Sequence, residues 1–215
     1  MIDPGKAAVV MIDMQNGFIH ERSPLHIAGA RATVGACARV LDAARRGGMT
    51  VIHAVRRYAP DGSNVEPCRY DAWLDGRPLS EGCDPAIDAR EPEELAPIEG
   101  DLTVVKPSFS AFFGTDLHET LLEKGVGTVV LIGTTTPNCV RSTCYDALSY
   151  GYNVAVVEDA TSSRTDEVQA ANIADMAFIG ASVLSSEEFT THLLANTDDT
   201  ARRVREGLSR NVRTR

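Results

Sequence analysis

The sequence predicts an α/β fold: a three-layer α/β/α domain on a mainly parallel sheet of about six strands. Three observations carry that prediction. Short apolar, β-branched runs recur along the chain. Most are continuous rather than alternating, as strands buried on both faces require. Helical stretches lie between most of them, which is the βαβα order of right-handed crossovers.

Taken in order, AAVVMID (7–13) opens the sheet. ARATVGACARVLDAARR, roughly 30–46, reads as a helix that Gly47 and Gly48 stop. MTVIHAV (49–55) and LTVVK (102–106) are the next two strands. A helix over roughly 116–124 has Thr115 placed to cap it and Gly125 to end it. TVVLIG (128–133) is the fourth strand, and a helix begins near Pro137. NVAVVED (153–159) is the fifth, followed by a helix from about Asp166 to Ile179. ASVL (181–184) is the sixth, and a short last helix follows Ser185.

One insertion breaks this rhythm. Residues 57–100 hold six of the ten prolines and the only tryptophan, Trp73. A loop of that length in a compact domain reads as a lid, a substrate loop or an interface. One domain over 1–196 and an Arg-rich tail over 197–215 account for the chain, which is too short for two full cores.

Composition narrows the function. The net charge of −9 excludes a general nucleic-acid binder. Residues 202–215 carry six Arg and one Glu, a local +5. No aromatic residues are interleaved there, so the tail reads as a solvated segment that meets an acidic surface. No apolar run is long enough to span a membrane. The start, MIDPGKAAVVMID, lacks the basic and apolar regions of a secretory leader, so a cytoplasmic protein is expected. The cysteines, Cys37, Cys68, Cys83, Cys139 and Cys144, are odd in number and contain no CxxC pair. That spacing suits free thiols rather than a disulfide framework or a zinc site.

Ligands of open α/β sheets bind beyond the carboxyl ends of the strands. Those ends carry Asp13, Arg56 and Arg57, Lys106, the 134–139 turn and Asp159. An acid, a base and a thiol from distant segments thus share one sheet edge. Thr136 can cap the helix with Pro137 as its first residue, which puts Cys139 at the third helical position. The helix dipole there would lower the thiol's pKa and supply backbone donors. Read locally, a nucleophile and an inert helix-start cysteine remain equal alternatives. Cys144 falls on the stripe Val140, Cys144, Ala147, Leu148 and reads as core, as does Cys37 in its helix. Cys68 and Cys83 stay undecided.

Three segments then resemble a known family. VVMIDMQNGF (9–18), VVKPSFSAFFGTDL (104–117) and LIGTTTPNCVRSTCYDALSYGYNVAVVEDATSSRT (131–165) are similar to the isochorismatase-like cysteine hydrolases. That family includes nicotinamidase, N-carbamoylsarcosine amidase, ureidoacrylate amidase and biuret hydrolase. The resemblance covers about residues 7–190 and is weakest over 57–100. It implies Asp13, Lys106 and Cys139 as the catalytic set, and so decides for Cys139 over Cys144. It also implies a non-proline cis peptide between Thr134 and Thr135, with the N–H groups of Thr135 and Cys139 as the oxyanion hole. Members commonly form dimers or tetramers, so a homo-oligomer is expected.

Departures from the family sharpen the reading. Nicotinamidases hold a metal with a His/Asp cluster after the second strand. Here that stretch is HAVRRY (53–58), with Val55 and Arg57 where ligands would stand. No metal and no cofactor are therefore expected, and His53 reads as a hydrogen-bonded strand residue. The family's true isochorismatases lack the cysteine.

The expected activity is thioester-forming hydrolysis of a C–N bond in a small amide, ureido or imide substrate. Gln15, Phe18, Arg56, Arg57, Phe109 and Phe112 are the substrate-binding candidates, with Arg56 and Arg57 facing a carboxylate. Asn16 and Phe113 are weaker ones. The alternatives are an amidase for a larger lactam or natural product, and a non-catalytic scaffold or thiol-redox binding module.

Overall fold

The computed structural model describes residues 2–191. The end of the domain at 196 and the Arg-rich tail lie outside the described residues. The elements are β1 Ala7–Ile12, α1 Asn16–Ile19, α2 Ala30–Arg46, β2 Thr50–Val55, α3 Tyr70–Trp73, β3 Leu102–Val105 and α4 Leu117–Glu123. Then come β4 Thr128–Thr134, α5 Arg141–Ser149, β5 Asn153–Ser162, α6 Asp166–Phe178, β6 Ser182–Leu184 and α7 Ser186–Thr191.

All six strands are parallel, in the order β3-β2-β1-β4-β5-β6. β1 shows why the apolar runs are continuous. Val9 and Met11 pack toward α2 and Phe189 of α7. Ala8, Val10 and Ile12 pack on the other face with Leu117, Leu121, Cys144, Ala147 and Met176 from α4, α5 and α6. Every residue of β1 is buried, so no position tolerates a polar side chain until the strand ends. β3 is the edge, and its Thr103 and Val105 are exposed.

The chain runs outward from β1 through β2 to β3, then returns to place β4 against the other side of β1. The topological switch point therefore lies between the carboxyl ends of β1 and β4, the place such sheets use for ligands.

Two details depart from the sequence reading. β5 runs three residues beyond Asp159, because its register against β4 shifts between Leu131 and Gly133. Asp159 consequently leaves the sheet edge and caps α7, accepting from the Ser186 N–H and hydroxyl at 2.7 and 2.6 Å. The 57–100 insertion is no open loop. Trp73, Phe18, Leu25, Tyr58, Val65 and Leu79 form a small core of their own beneath it. The Trp73 indole N–H donates to the Ser80 hydroxyl at 3.0 Å.

Candidate active site

Asp13 follows β1 directly and takes a left-handed conformation, φ +52°, which aspartate tolerates better than most residues. Its own N–H still bonds the Ala54 carbonyl at 2.9 Å, so the turn begins while the ladder holds. The carboxylate is buried, and Oδ2 accepts from Lys106 Nζ at 2.8 Å. Lys106 leaves β3, two strands away. Its side chain and that of Asp13 meet beyond the carboxyl end of β2, which lies between their strands. Nζ also donates to the Ser108 carbonyl at 3.1 Å. Arg56, at the exit of β2, brings Nε to 3.9 Å from the same Asp13 oxygen. Asp13 Oδ1 is buried with no hydrogen-bond partner among the described residues.

Cys139 sits across the switch point. Gly133, φ +108°, lets the two strand ends meet: a Cβ there would lie 2.1 Å from the Ile12 carbonyl oxygen. The Thr134–Thr135 peptide is cis. Side chains brace the turn beyond it. Thr136 donates to the Ser162 carbonyl at 3.0 Å, and Ser162 donates to the Thr134 hydroxyl at 3.0 Å. Thr143 donates to the Cys139 carbonyl at 2.7 Å and accepts from the Ala111 N–H at 2.9 Å.

The helix start differs from the prediction. Thr135, not Thr136, occupies the cap, and residues Thr136–Val140 form a π-type turn before α5. Cys139 is then the fourth helical residue. The Thr135 carbonyl accepts from the Asn138 and Val140 N–H groups at 3.2 and 3.3 Å, and those bonds step past Cys139.

The thiol's pKa also differs from the prediction. Burial pushes the Cys139 thiol above its ordinary range, and the adjacent Asp13 carboxylate adds to the rise. Lys106, Arg56 and Arg69 act against it. Desolvation is the largest of these effects, and it favours the neutral thiol. Cys37 and Cys144 are pushed up to about 12, chiefly by burial, and Cys144 has no neighbouring charge that shifts it.

Comparison with known families matches residues 7–188 to the isochorismatase domain. The chain belongs to the isochorismatase family. An Arabidopsis thaliana relative, a "probable inactive nicotinamidase", is 38% identical, covering 86% of this chain and 95% of its own. The maleamate amidohydrolase of Pseudomonas putida is 34% identical over 80% of this chain and 79% of its own. A crystal structure of an isochorismatase family protein from Desulfovibrio vulgaris is 37% identical. It superposes with a TM-score of 0.81 over 87% of this chain and 98% of that one.

Against this isochorismatase-family frame, the remaining predicted residues separate. The Gln15 amide is fully spent on backbone: it donates to the Arg56 and Ala89 carbonyls at 2.8 and 2.7 Å and accepts from the Arg56 N–H at 2.7 Å. It ties the long insertion to the sheet, and both of its N–H donors are spent there. Asn16 does similar work on Asp88 at 2.9 Å. Arg57 is exposed and lines a surface depression with His53, Arg90 and Glu91, away from Cys139. Just past the end of β2, Arg56 is buried while Arg57 is exposed, so only Arg56 turns toward the site. Phe112 packs against Tyr150 and Tyr152, 5.4 and 6.1 Å between ring centres, as core, and Phe113 is exposed beside it. His53 is buried, its two ring nitrogens 2.7 Å from Glu91 and 3.2 Å from Asp101.

Phe18 and Phe109 do reach the site, and between them stands a residue the sequence reading missed. The Arg69 guanidinium lies over both rings, 5.2 and 5.5 Å from their centres. Burial works against its charge, but Cys139, Tyr58 and Asp13 favour it more and hold it above the ordinary arginine range. Glu66, also missed, pairs with Arg56 and accepts from the Tyr58 hydroxyl at 2.6 Å. Both come from the insertion, whose sequence has no periodicity to announce which charges turn inward.

Proposed function

We propose that this protein is a cysteine-dependent amidohydrolase that cleaves the C–N bond of a small amide, ureido or imide substrate through a thioester. One observation carries the reading. Asp13 has one oxygen fastened to Lys106, while the other is buried and unpartnered, and the carboxylate is near enough to Cys139 to raise the thiol's pKa. A buried carboxylate oxygen without a partner is costly unless it has a proton to receive. The likeness to an amidohydrolase of Pseudomonas putida supports the same class of reaction.

In this mechanism Asp13 Oδ1 takes the thiol proton as sulfur attacks the substrate carbonyl. Lys106 keeps Oδ2 in place and offsets the anion on sulfur. The N–H groups of Thr135 and Cys139 receive the developing oxyanion. As the tetrahedral intermediate collapses, Asp13 returns its proton to the departing amine. Water then gives a proton to Asp13 and its hydroxyl to the thioester. The acid leaves, and the proton goes back to Cys139. The raised thiol pKa fits a proton transfer coupled to attack rather than a stored thiolate.

The test is an ammonia-release screen over amides, ureido acids and lactams, with Cys139→Ala as the blank. Turnover by the wild type and none by the variant is expected. Turnover that survives in Cys139→Ala would overturn the proposal.

A further inference from the structure

Arg56 follows β2 wholly buried, and its guanidinium is only partly bonded. Nη1 pairs with Glu66 and donates to the Pro107 carbonyl at 3.5 Å. Nε and Nη2, which share another edge of the planar fork, are buried with no hydrogen-bond partner among the described residues. Nε stands 3.9 Å from Asp13 Oδ2, within ion-pair reach and beyond hydrogen-bond distance. Three further ties fix the group. The guanidinium carbon lies over the Phe109 ring, 5.5 Å from its centre. The Gln15 amide holds the Arg56 backbone at both its N–H and its carbonyl. Glu66 is itself held, accepting from the Tyr58 hydroxyl at 2.6 Å. Arg56 is thus anchored as a charge beside Asp13 that takes up neither carboxylate oxygen.

Four charged groups act on the Cys139 sulfur: Asp13 after β1, Arg56 after β2, Lys106 after β3 and Arg69 from the insertion. Three of them are cations. A carboxylate set among uncompensated cations is a poor proton acceptor, and accepting a proton is what the mechanism asks of Asp13. Glu66 corrects that imbalance, because its nearly buried carboxylate pairs with Arg56. An arginine paired with a carboxylate acts at a distance as a dipole, whose field fades faster than that of a bare charge. Lys106 is left as the cation bonded to Asp13.

We propose that Glu66 and Arg56 are a positioning pair for the proton transfer between Cys139 and Asp13. Glu66, carried in by the 57–100 insertion, holds the Arg56 cation at its distance from Asp13 and offsets its charge. The insertion thereby sets how readily the acid–base pair exchanges its proton. The catalytic part of this proposal rests on the cysteine-amidohydrolase reading, and the electrostatic part stands without it.

The test is the pH dependence of Cys139 alkylation by iodoacetamide, read by mass spectrometry of the peptide that carries it, in the wild type, Glu66→Gln and Arg56→Met. Glu66→Gln should move the midpoint down, because Arg56 then acts on the sulfur without its counter-charge. Arg56→Met should move it up, because a cation is lost and Glu66 remains. Glu66→Asp, which keeps the charge, should hold the midpoint near the wild-type value. A merely structural pair would destabilise both variants without moving their midpoints in opposite directions. Glu66→Gln hardly changes shape, so it carries the test alone should Arg56→Met fail to fold. A midpoint that Glu66→Gln leaves in place, or one that both variants move the same way, would overturn the proposal. In turnover, Glu66→Gln is expected to lower kcat by about 100-fold with KM little changed, the scale of a misplaced catalytic group. Opposite midpoint shifts with kcat unchanged would overturn the catalytic role. Failure of the underlying mechanism shows separately, as hydrolysis that persists in Cys139→Ala.

Discussion

Two clusters of buried charge stand at opposite ends of β3, and they differ in what each leaves unsaturated. Before the strand, Asp101 accepts from Arg45 at 2.6 Å and meets His53 at 3.2 Å, while the other ring nitrogen of His53 lies 2.7 Å from Glu91. Both imidazole nitrogens are committed, and the cluster ties α2, β2 and the end of the insertion together. After the strand, Lys106 holds one oxygen of Asp13 and leaves the other without a partner beside Cys139. That first cluster leaves Glu91 Oε1 and Arg45 Nε unpartnered, but it has no thiol beside it and serves to fix the chain. An open carboxylate oxygen in reach of a thiol keeps capacity for a proton or a ligand. Both stretches belong to the same strand pair, so burial alone does not separate structure from chemistry.

The sharpest break of this contrast comes from the two central groups. Asp13→Asn should lower kcat for an amide substrate by about 1000-fold, within the range general-base removal costs. His53→Gln should keep its turnover per folded molecule and lose about 3 kcal/mol of unfolding free energy, as two buried carboxylates lose their partner. Ammonia release and urea unfolding on both variants decide the matter. A folded His53→Gln protein without activity would erase the distinction.

A smaller effect lies in the pH dependence of stability. Burial works to raise the Asp101 carboxyl, but Arg45 and the Ile98 N–H hold it below the ordinary aspartate range. The folded state therefore binds fewer protons there than the unfolded one. The stability Asp101 contributes is present above about pH 4 and is lost as pH falls through the lower folded value. Glu91 has the opposite sign, since burial lifts its carboxyl and its contribution falls as pH rises. Asp101→Asn should flatten the acid limb of urea midpoints plotted against pH. An unchanged limb would remove Asp101 from the cluster that holds α2 to β2.

The smallest effect concerns the thiol itself. Alkylation of Cys139 by iodoacetamide should show a midpoint above the ordinary thiol range, and Asp13→Asn should move that midpoint down, because the neighbouring anion is gone. A wild-type midpoint below that range would restore the thiolate that the helix start suggests and shift the base's role away from Asp13.

Much of this was legible in the chain. The six strands, the helix over Ala30–Arg46 and the turn before Cys139 follow from apolar runs and from Gly and Pro positions. Asp13 and Lys106 stood out because a charge after a wholly apolar strand demands a partner. Arg57 was misread because two adjacent arginines look alike in sequence, whereas the turn after β2 buries only Arg56. Gln15 was misread because nothing local shows that its amide is consumed by Arg56 and Ala89. Phe112 was one aromatic among several in a short stretch, and packing against Tyr150 and Tyr152 alone made it core.

By itself, then, the sequence determined the layers and the strand ends that carry Asp13 and Lys106, because those rest on periodicity and on local cost. Tertiary structure decided the surroundings of the sulfur and the placing of Glu66 and Arg69. Those depend on desolvation and on charges brought together across some seventy residues of chain, and no short-range pattern encodes either.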